Sequence, residues 1–526
     1  MKNFFFTTLA VLFSFLSYSQ GITDALRYSL EDVNGTARYS SMSGAFGALG
    51  GDLSAINANP AGGAVFLESS SAISLSVDSF NNNANYFGTS MDKSHSDFNL
   101  NQAGVLFVFY PKTEESLFRK FTLGVNYQMA KNYENTFFTS GRSNTSVDQY
   151  FLGYANGVPL ELLQTLPGES VSDLYRFLGE NYGYGHQQAF LGYQAYIINP
   201  IDDNPNNTMY SSAMSPGNYQ HDYGYYAGGF NGKYNINVAT QIGDDWYAGI
   251  NFNSYLMEYR ETTRFLETTG TNSNGVNRVF FENRLSVLGS GFSMQIGAIH
   301  KINDNLRAGL TYDTPSWLRI SEEGTQYLET RRTQDGQQIE QVVNPNIINV
   351  YKDYKITTPG KITASVAYLF GKSGLLSVDY SYRDFSNLKF KPENRGHFNT
   401  VNNQISNTLQ AVSSLRVGGE YRYQQFSFRA GTRFEQSPYK DKNLMDDLLG
   451  FSLGTGYSFG NTRLDLAYIY TQQEQNHQLL GGDFRNAARL KTTNYTVALT
   501  LGFSLLFFDV VKRILNLNQF SLYKVY

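Results

Sequence analysis

Between Leu415 and Tyr470 apolar and polar residues alternate with a period of two. Phe426, Phe428, Ala430, Thr432 and Phe434 fall on one face of an extended chain, and Ser427, Arg429, Gly431 and Arg433 on the other. The next strand repeats the rule, with Phe451, Leu453, Thr455, Tyr457 and Phe459 opposite Ser452, Gly454, Gly456 and Ser458. A third sets Leu464, Leu466, Tyr468 and Tyr470 against Arg463 and Asp465. Alternation alone fits either a soluble sandwich or a membrane barrel. Turn length separates them. The chain reverses tightly at Tyr423-Gln424-Gln425 and at Gly460-Asn461-Thr462, whereas Glu435 to Leu448 is long and polar. Short turns on one rim and long loops on the other are the mark of an outer-membrane barrel.

The same pattern recurs about fourteen times, an even count that closes a barrel with both ends on the periplasmic side. The expected strands are 72–79, 98–109, 119–130, 226–241, 246–262, 280–299 and 306–318, then 360–370, 375–390, 410–422, 426–434, 449–459, 463–472 and 490–505. Further short turns are read at Pro111 to Phe118, Gly243-Asp244-Asp245, Asn303-Asp304-Asn305 and Gly371 to Gly374. Each falls between an even-numbered strand and the next odd one. The fold class is therefore all-β, a transmembrane antiparallel barrel.

Four segments organise the chain. Lys2, the apolar run Phe4 to Leu16 and the small-residue stretch Ser17-Tyr18-Ser19 read as a secretory signal peptide over residues 1–19. Residues 20–71 are rich in Gly, Ala, Ser and Asn and lack sustained alternation, so they are not wall strands. Residues 72–505 form the barrel, and 506–526 a C-terminal tail. The longest connection, 131–225, is far beyond ordinary loop length, and loops of that size usually carry a function. Within it Leu160, Leu163 and Leu166, then Val171, Leu174, Tyr175 and Leu178, recur at helical spacing, with Ser170 and Asp173 placed to cap the second helix. This stripe either packs on the barrel mouth or offers a landing surface for an apolar ligand.

Composition narrows the chemistry. The 526 residues are 41% hydrophobic, 15% aromatic and 16% charged, with charge well below the usual quarter. After residue 20 nothing approaches the roughly 20 apolar residues of a helical span, so any membrane crossing must be made by strands. The net charge of −4 points away from nucleic acid. Cysteine is absent, which removes disulfides, thiolate metal sites and cysteine nucleophiles. Gly44 to Gly51 lacks the Gly-Lys-Ser/Thr ending of a phosphate loop. The histidines (95, 186, 221, 300, 397, 477) are expected in loops or at a rim, with neither ligand spacing nor a Ser-His pair on a strand. No catalytic residue, metal or cofactor is expected. Parity turns Arg307, Asp313, Asp379, Arg383, Arg416, Glu420, Arg429, Arg433, Arg463 and Asp465 into the lumen, where mixed signs imply a compensated network.

Several stretches resemble one family, the outer-membrane long-chain fatty acid transporters that include aromatic-hydrocarbon channels. SGAFGALGGDLSAINANPAG resembles that family's N-terminal hatch with its Asn-Pro-Ala turn. DDWYAGINFNSYLMEYRE, DNLRAGLTYDTPSWLRI and LRVGGEYRYQQFSFRAGTRFEQSPYKD resemble successive strands in the family's order. The resemblance implies a fourteen-stranded barrel plugged by the hatch. It further implies that a hydrophobic, fatty-acid-like ligand is captured at extracellular loops and released sideways into outer-membrane lipid. Leu160, Leu163, Leu166, Leu174, Tyr175 and Leu178 are the candidate ligand contacts, and Asn59, Pro60, Ala61, Gly62 and Gly63 the candidate gate. The assembly machinery of that membrane is a further expected partner. The alternative is a barrel subunit that docks other outer-membrane proteins in a secretion or assembly complex. Two features depart from the family: the tail FDVVKRILNLNQFSLYKVY beyond the last strand, and the length of the loop 131–225.

Overall fold

Strands with one apolar face can satisfy their backbone in lipid only by closing on themselves, and the computed structural model shows that closure. It describes residues 21–505 apart from 114, 115, 271, 272 and 395. The expected signal peptide and C-terminal tail lie outside the described residues. The wall begins with β1 (Ser70–Tyr86), β2 (Thr89–Phe109) and β3 (Phe118–Asn132, resumed at Asn135–Ser143). It continues with β4 (Tyr219–Ile242), β5 (Trp246–Thr269), β6 (Gly275–Lys301) and β7 (Leu306–Asp313, resumed at Trp317–Gln334). Next come β8 (Tyr354–Thr357 and Lys361–Leu369), β9 (Gly374–Asp384, with Lys389–Lys391) and β10 (Ala411–Tyr423). β11 (Phe426–Glu435), β12 (Leu448–Ser458), β13 (Thr462–Gln478) and β14 (Ala487–Ser504) complete the set. Every neighbouring pair is antiparallel, and β1 pairs with β14 from Ser70↔Ser504 to Asn85↔Arg489, so fourteen strands form a closed barrel.

The period-two faces sort as the alternation requires. Phe428 is 50% and Leu453 60% exposed on the lipid side, while Glu420, Arg429 and Asp465 are buried inside. β7 and β8 are each interrupted at a proline, Pro315 and Pro359, at the same height of the wall. Proline has no N–H for the ladder, so the strands bend there.

Three features differ from the sequence expectation. β1 and β2 do not end at 79 and 98 but run on as a hairpin to a two-residue turn, Phe87-Gly88, where both residues have positive φ. Residues 80–97 lack the regular alternation because the outer face of the hairpin is polar, while Ala84 and Tyr86 turn inward to the cap. The loop 131–225 likewise contains more structure than its apolar stripe announced: three helices at Asp148–Ala155, Val171–Asn181 and Tyr184–Gln194. As expected, Ser170 caps the middle one, accepting from Asp173 N. Finally, His95, His221 and His477 sit on strands, in their extracellular extensions, and His300 lies at the turn-side end of β6.

The largest apolar cluster lies in this extracellular cap, where Phe151, Leu160, Leu174, Phe190, Phe281 and Phe484 are buried together. The lumen beneath is filled by the N-terminal segment. Helices at Ile22–Ser29, Ala37–Ser41 and Ala55–Ala58 and a 3₁₀ turn at Pro60–Val65 form a hatch inside the barrel. No described helix is long and apolar enough to cross a membrane.

Candidate functional site

The hatch is seated by two different chemistries on opposite sides of the wall. Facing β3 to β6, carboxamides reach its backbone. Asn237 Nδ2 donates to the Pro60 carbonyl at 3.0 Å, Asn251 Nδ2 to Ile56 at 2.9 Å and Gln295 Nε2 to Asn57 at 2.9 Å. Lys120 Nζ reaches the Phe66 carbonyl at 2.7 Å. Asn59 caps the 3₁₀ turn by accepting from Ala61 N and donates to the Gly47 and Ala298 carbonyls. The expected gate, Asn59 to Gly63, is thus buried against the wall as part of this seat. Facing β9 to β14, charge does the work. Asp379 accepts from Phe46 N and Gly47 N, each at 3.0 Å. Arg38 of the hatch pairs with Glu420 at 2.8 Å, Glu420 with Arg429 at 2.7 Å, and Arg429 with Asp465 at 2.8 Å. Ala37 N donates to Thr500 Oγ1 on β14. Part of the lumen network expected from parity is present as the Glu420–Arg429–Asp465 chain on which the hatch rests, and pairing answers the cost of burying these charges.

Close approach needs missing side chains. A Cβ on Gly297 would fall 2.9 Å from Pro60 Cδ, one on Gly249 2.5 Å from Pro60 C, and one on Gly431 2.5 Å from Met42 C. Gly309, Gly418 and Gly454 meet the hatch in the same way. These glycines sit at luminal parity, so the signal was in the sequence as glycine on the polar face of a strand.

Above this seat the N-terminal stretch Tyr28 to Asp32 crosses the lumen beside small polar cavities, two of them about 50 and 40 Å³. Burial pushes the Glu31 carboxyl up, but Lys233, Lys361, Arg383 and Arg416 outweigh it and hold the pKa down at about 2.

The wall itself has one half-open seam. β2 and β3 pair from Phe109↔Phe121 to Gln102↔Gln128 and stop. Beyond that point β2 pairs with β1 alone, and β3, after a register shift at Ala130, pairs with β4 alone. Seven residue steps along a strand tilted by about 40° rise only ~18 Å, less than the ~25 Å apolar band. The ladder is thus shorter than the band, and above it the seam is spanned by side chains, Asn82 Nδ2 donating to Asn135 Oδ1 at 2.7 Å and to the Thr136 carbonyl at 2.9 Å. The hatch touches it there: Asp32 N donates to the Ala130 carbonyl at 2.7 Å and Asp32 Oδ1 pairs with Lys131 at 2.7 Å. Higher up, His95 of β2 lies 3.4 Å from Glu134, bridging the two edges.

Of the candidate ligand contacts, Leu160, Leu163, Leu174, Tyr175 and Leu178 are brought together in the buried core of the cap, and Leu166 stands apart at 68% exposed. The Tyr175 hydroxyl donates to Gln326 Oε1 at 2.7 Å, tying this helix to β7.

A second buried polar cluster ties the cap to the strand extensions. His221 is hydrogen-bonded to Tyr86 at 2.7 Å and to Glu267 at 2.9 Å, and Ser146 donates to Glu267 at 2.5 Å. The serine bonds the carboxylate and not the imidazole, so the three are not in the order of a Ser-His-Asp triad. Among the described residues no group of three or more His, Asp or Glu side chains is arranged to hold a metal ion.

A plugged fourteen-stranded barrel with a seam beside its plug is a recognisable arrangement. The sequence model of the family described as outer membrane protein transport protein (OMPP1/FadL/TodX) matches residues 223–507, more than half of the chain. The chain belongs to this family. As an OMPP1/FadL/TodX protein it is a β-barrel of the bacterial outer membrane, and its relatives are transporters of hydrophobic compounds and not enzymes. In fold it is similar to a Pseudomonas aeruginosa FadL homologue, with a TM-score of 0.53 at 11% identity over 90% of this chain and 99% of that one. The Pseudomonas putida toluene transporter TodX aligns over 90% of this chain and 99% of its own at 11% identity and a TM-score of 0.48. No curated protein matches the chain in sequence.

Proposed function

We propose that this barrel takes up an apolar, fatty-acid-like compound passively and passes it sideways into the outer leaflet through the seam between β2 and β3. The observation that carries this reading is the seam with the hatch backbone hydrogen-bonded to its edge at Ala130, which couples plug and wall in one place. An apolar solute gains about 25 cal/mol for each Å² it removes from water, so it would stall in a hydrated lumen and favours an exit into lipid. In this reading Leu160, Leu163, Leu166, Leu174, Tyr175 and Leu178 form the capture surface, reached when the cap loosens. Asn59, Pro60, Ala61, Gly62 and Gly63 are the gate, which leaves the wall as the hatch shifts.

The test uses the absence of cysteine. Ala64 and Ala239 belong to one buried cluster at the hatch seat, and a disulfide between Ala64→Cys and Ala239→Cys fixes the hatch to β4. Uptake of an apolar compound by cells or proteoliposomes is expected to stop on oxidation and return on reduction. Uptake that is equal in both states would remove the hatch from the route. The alternative, a docking subunit, calls for an outward apolar face on the loop helices, and of the six candidate residues Leu166 alone is exposed.

A further inference from the structure

Lys233, Lys361, Arg383, Arg416 and Arg433 come from β4, β8, β9, β10 and β11 to one region of the lumen. Arg416 and Arg433 are direct cross-strand partners, and like charges placed opposite each other destabilise a sheet. Among the described residues neither has an ion-pair partner, and Arg433 is only 7% exposed. The Nε atoms of Arg383, Arg416 and Arg433 are buried without a hydrogen-bond partner. Of the nearby carboxylates, Asp313 pairs with the cage's Lys361 at 3.3 Å, while Asp379 is engaged with the hatch backbone and Asp32 with Lys131. Glu435 lines the second cavity.

Of the two hatch carboxylates here, Asp32 is taken by Lys131 and Glu31 stands among these cations. Glu31 lines both cavities together with Lys361, Ser381 and Arg416. Its shortest approach to a cation is 3.9 Å, to Arg383 Nη2. Buried cations persist when a negative partner is at hand, and here the partner is tethered, at contact with none of them, with water-sized space between.

We propose that this cage is a carboxylate-binding site whose resident ligand is the hatch's own Glu31, so that a small free carboxylate can take its place. The chemistry of the occupant is set by the group already there: planar, singly negative, with two acceptor oxygens for guanidinium forks. The site goes beyond the transport reading and does not depend on it.

The experiment is chemical rescue in the full-length protein reconstituted in lipid. Leu30→Cys, beside Glu31, gives the chain a single thiol, and its rate of reaction with a neutral maleimide reads how firmly the segment is held. Glu31→Ala is expected to raise that rate about tenfold, since it leaves buried cations unpaired. Acetate at 100 mM should restore the slow rate, and acetamide or sodium chloride at the same concentration should not. Adding Arg416→Gln and Arg433→Gln to Glu31→Ala should abolish the acetate effect. Heat-modifiable migration on a gel confirms that each barrel has folded, and Val33→Cys replaces Leu30→Cys if that variant does not. An unchanged rate in Glu31→Ala, equal rescue by acetamide, or rescue that survives loss of both arginines would each overturn the site. Uptake of an apolar compound by the same vesicles is scored separately. Acetate rescue without uptake supports the cage and overturns the transport reading; uptake without rescue does the reverse.

Discussion

Gly431→Ala adds one methyl group where the wall and the hatch touch backbone to backbone. The new Cβ falls 2.5 Å from Met42 C, 2.7 Å from Ser43 N and 2.8 Å from Met42 Cα. Contacts between such atoms are comfortable near 3.5 to 4 Å, so the hatch must retreat by about 1 Å. None of the atoms met is the tip of a flexible side chain. Overpacking of this kind costs about 1–3 kcal/mol. The retreat also stretches Ser43 N to Ser452 Oγ, now 3.0 Å, and Ser452 Oγ to the Ser41 carbonyl, now 2.9 Å. Each is worth about 1 kcal/mol net. The hatch seat is then weakened by roughly 2–5 kcal/mol, a factor of about 30 to several thousand in its docking equilibrium. Gly419→Ala is the control. It lies on β10, and its Cβ meets nothing closer than 3.6 Å. In planar lipid bilayers the wild type and Gly419→Ala should be closed for most of the time, and Gly431→Ala should show open events of a water-filled barrel. Both variants should keep heat-modifiable gel migration, since the wall ladder is untouched. If Gly431→Ala conducts no more than Gly419→Ala, the hatch does not rest on that glycine and the seat as drawn is wrong.

Two further perturbations probe the seat from other sides. Asp379→Ala leaves the Phe46 and Gly47 amides without their acceptor; at about 1–3 kcal/mol per orphaned buried amide, it should raise conductance further than Asp379→Asn, which retains an acceptor oxygen. The depressed Glu31 pKa gives a sign to pH. Its folded value, about 2, lies below its ordinary 4.5, so its contribution is full above about pH 4.5 and is lost as pH falls toward 2. Conductance should be flat from pH 8 to 5 and rise below that in the wild type, and Glu31→Gln should lack this acid step; an identical step in Glu31→Gln would assign it to another group.

How far the sequence carried depends on where a residue lies relative to the membrane. Inside the apolar band one face meets lipid, so Phe426, Phe428, Phe451 and Leu453 had to be apolar, and strand and lumen face followed from parity alone. Outside the band that constraint lapses. Residues 80–97 lost their alternation and read as loop although they form a continuous hairpin. The hatch was legible as small residues and an Asn-Pro-Ala turn, but its seat was not, because it is built of carboxamides and glycines scattered from β3 to β12 that only closure brings together. Asn237 and Asn251 are unremarkable polar residues in a strand until Pro60 and Ile56 stand opposite them. Glu31 was missed for the same reason: its cations come from five strands. The stripe from Leu160 to Leu178 was read as apolar and helical; Val171 to Leu178 is, whereas Leu160–Leu162 make a single 3₁₀ turn and Leu166 lies in a loop, and periodicity does not say whether a buried face waits for a ligand or packs on neighbours.

The link from Ala37 N to Thr500 Oγ1 spans 463 positions of the chain. It joins a segment that precedes every wall strand in the chain to the strand that closes the wall. Contacts so remote in sequence form late, because the entropy of closing the chain must be met before they contribute. The hatch thus has half a seat on β3 to β6 and no complete one until β14 has joined β1. A barrel that fails to close is therefore expected to hold its hatch by half a seat only.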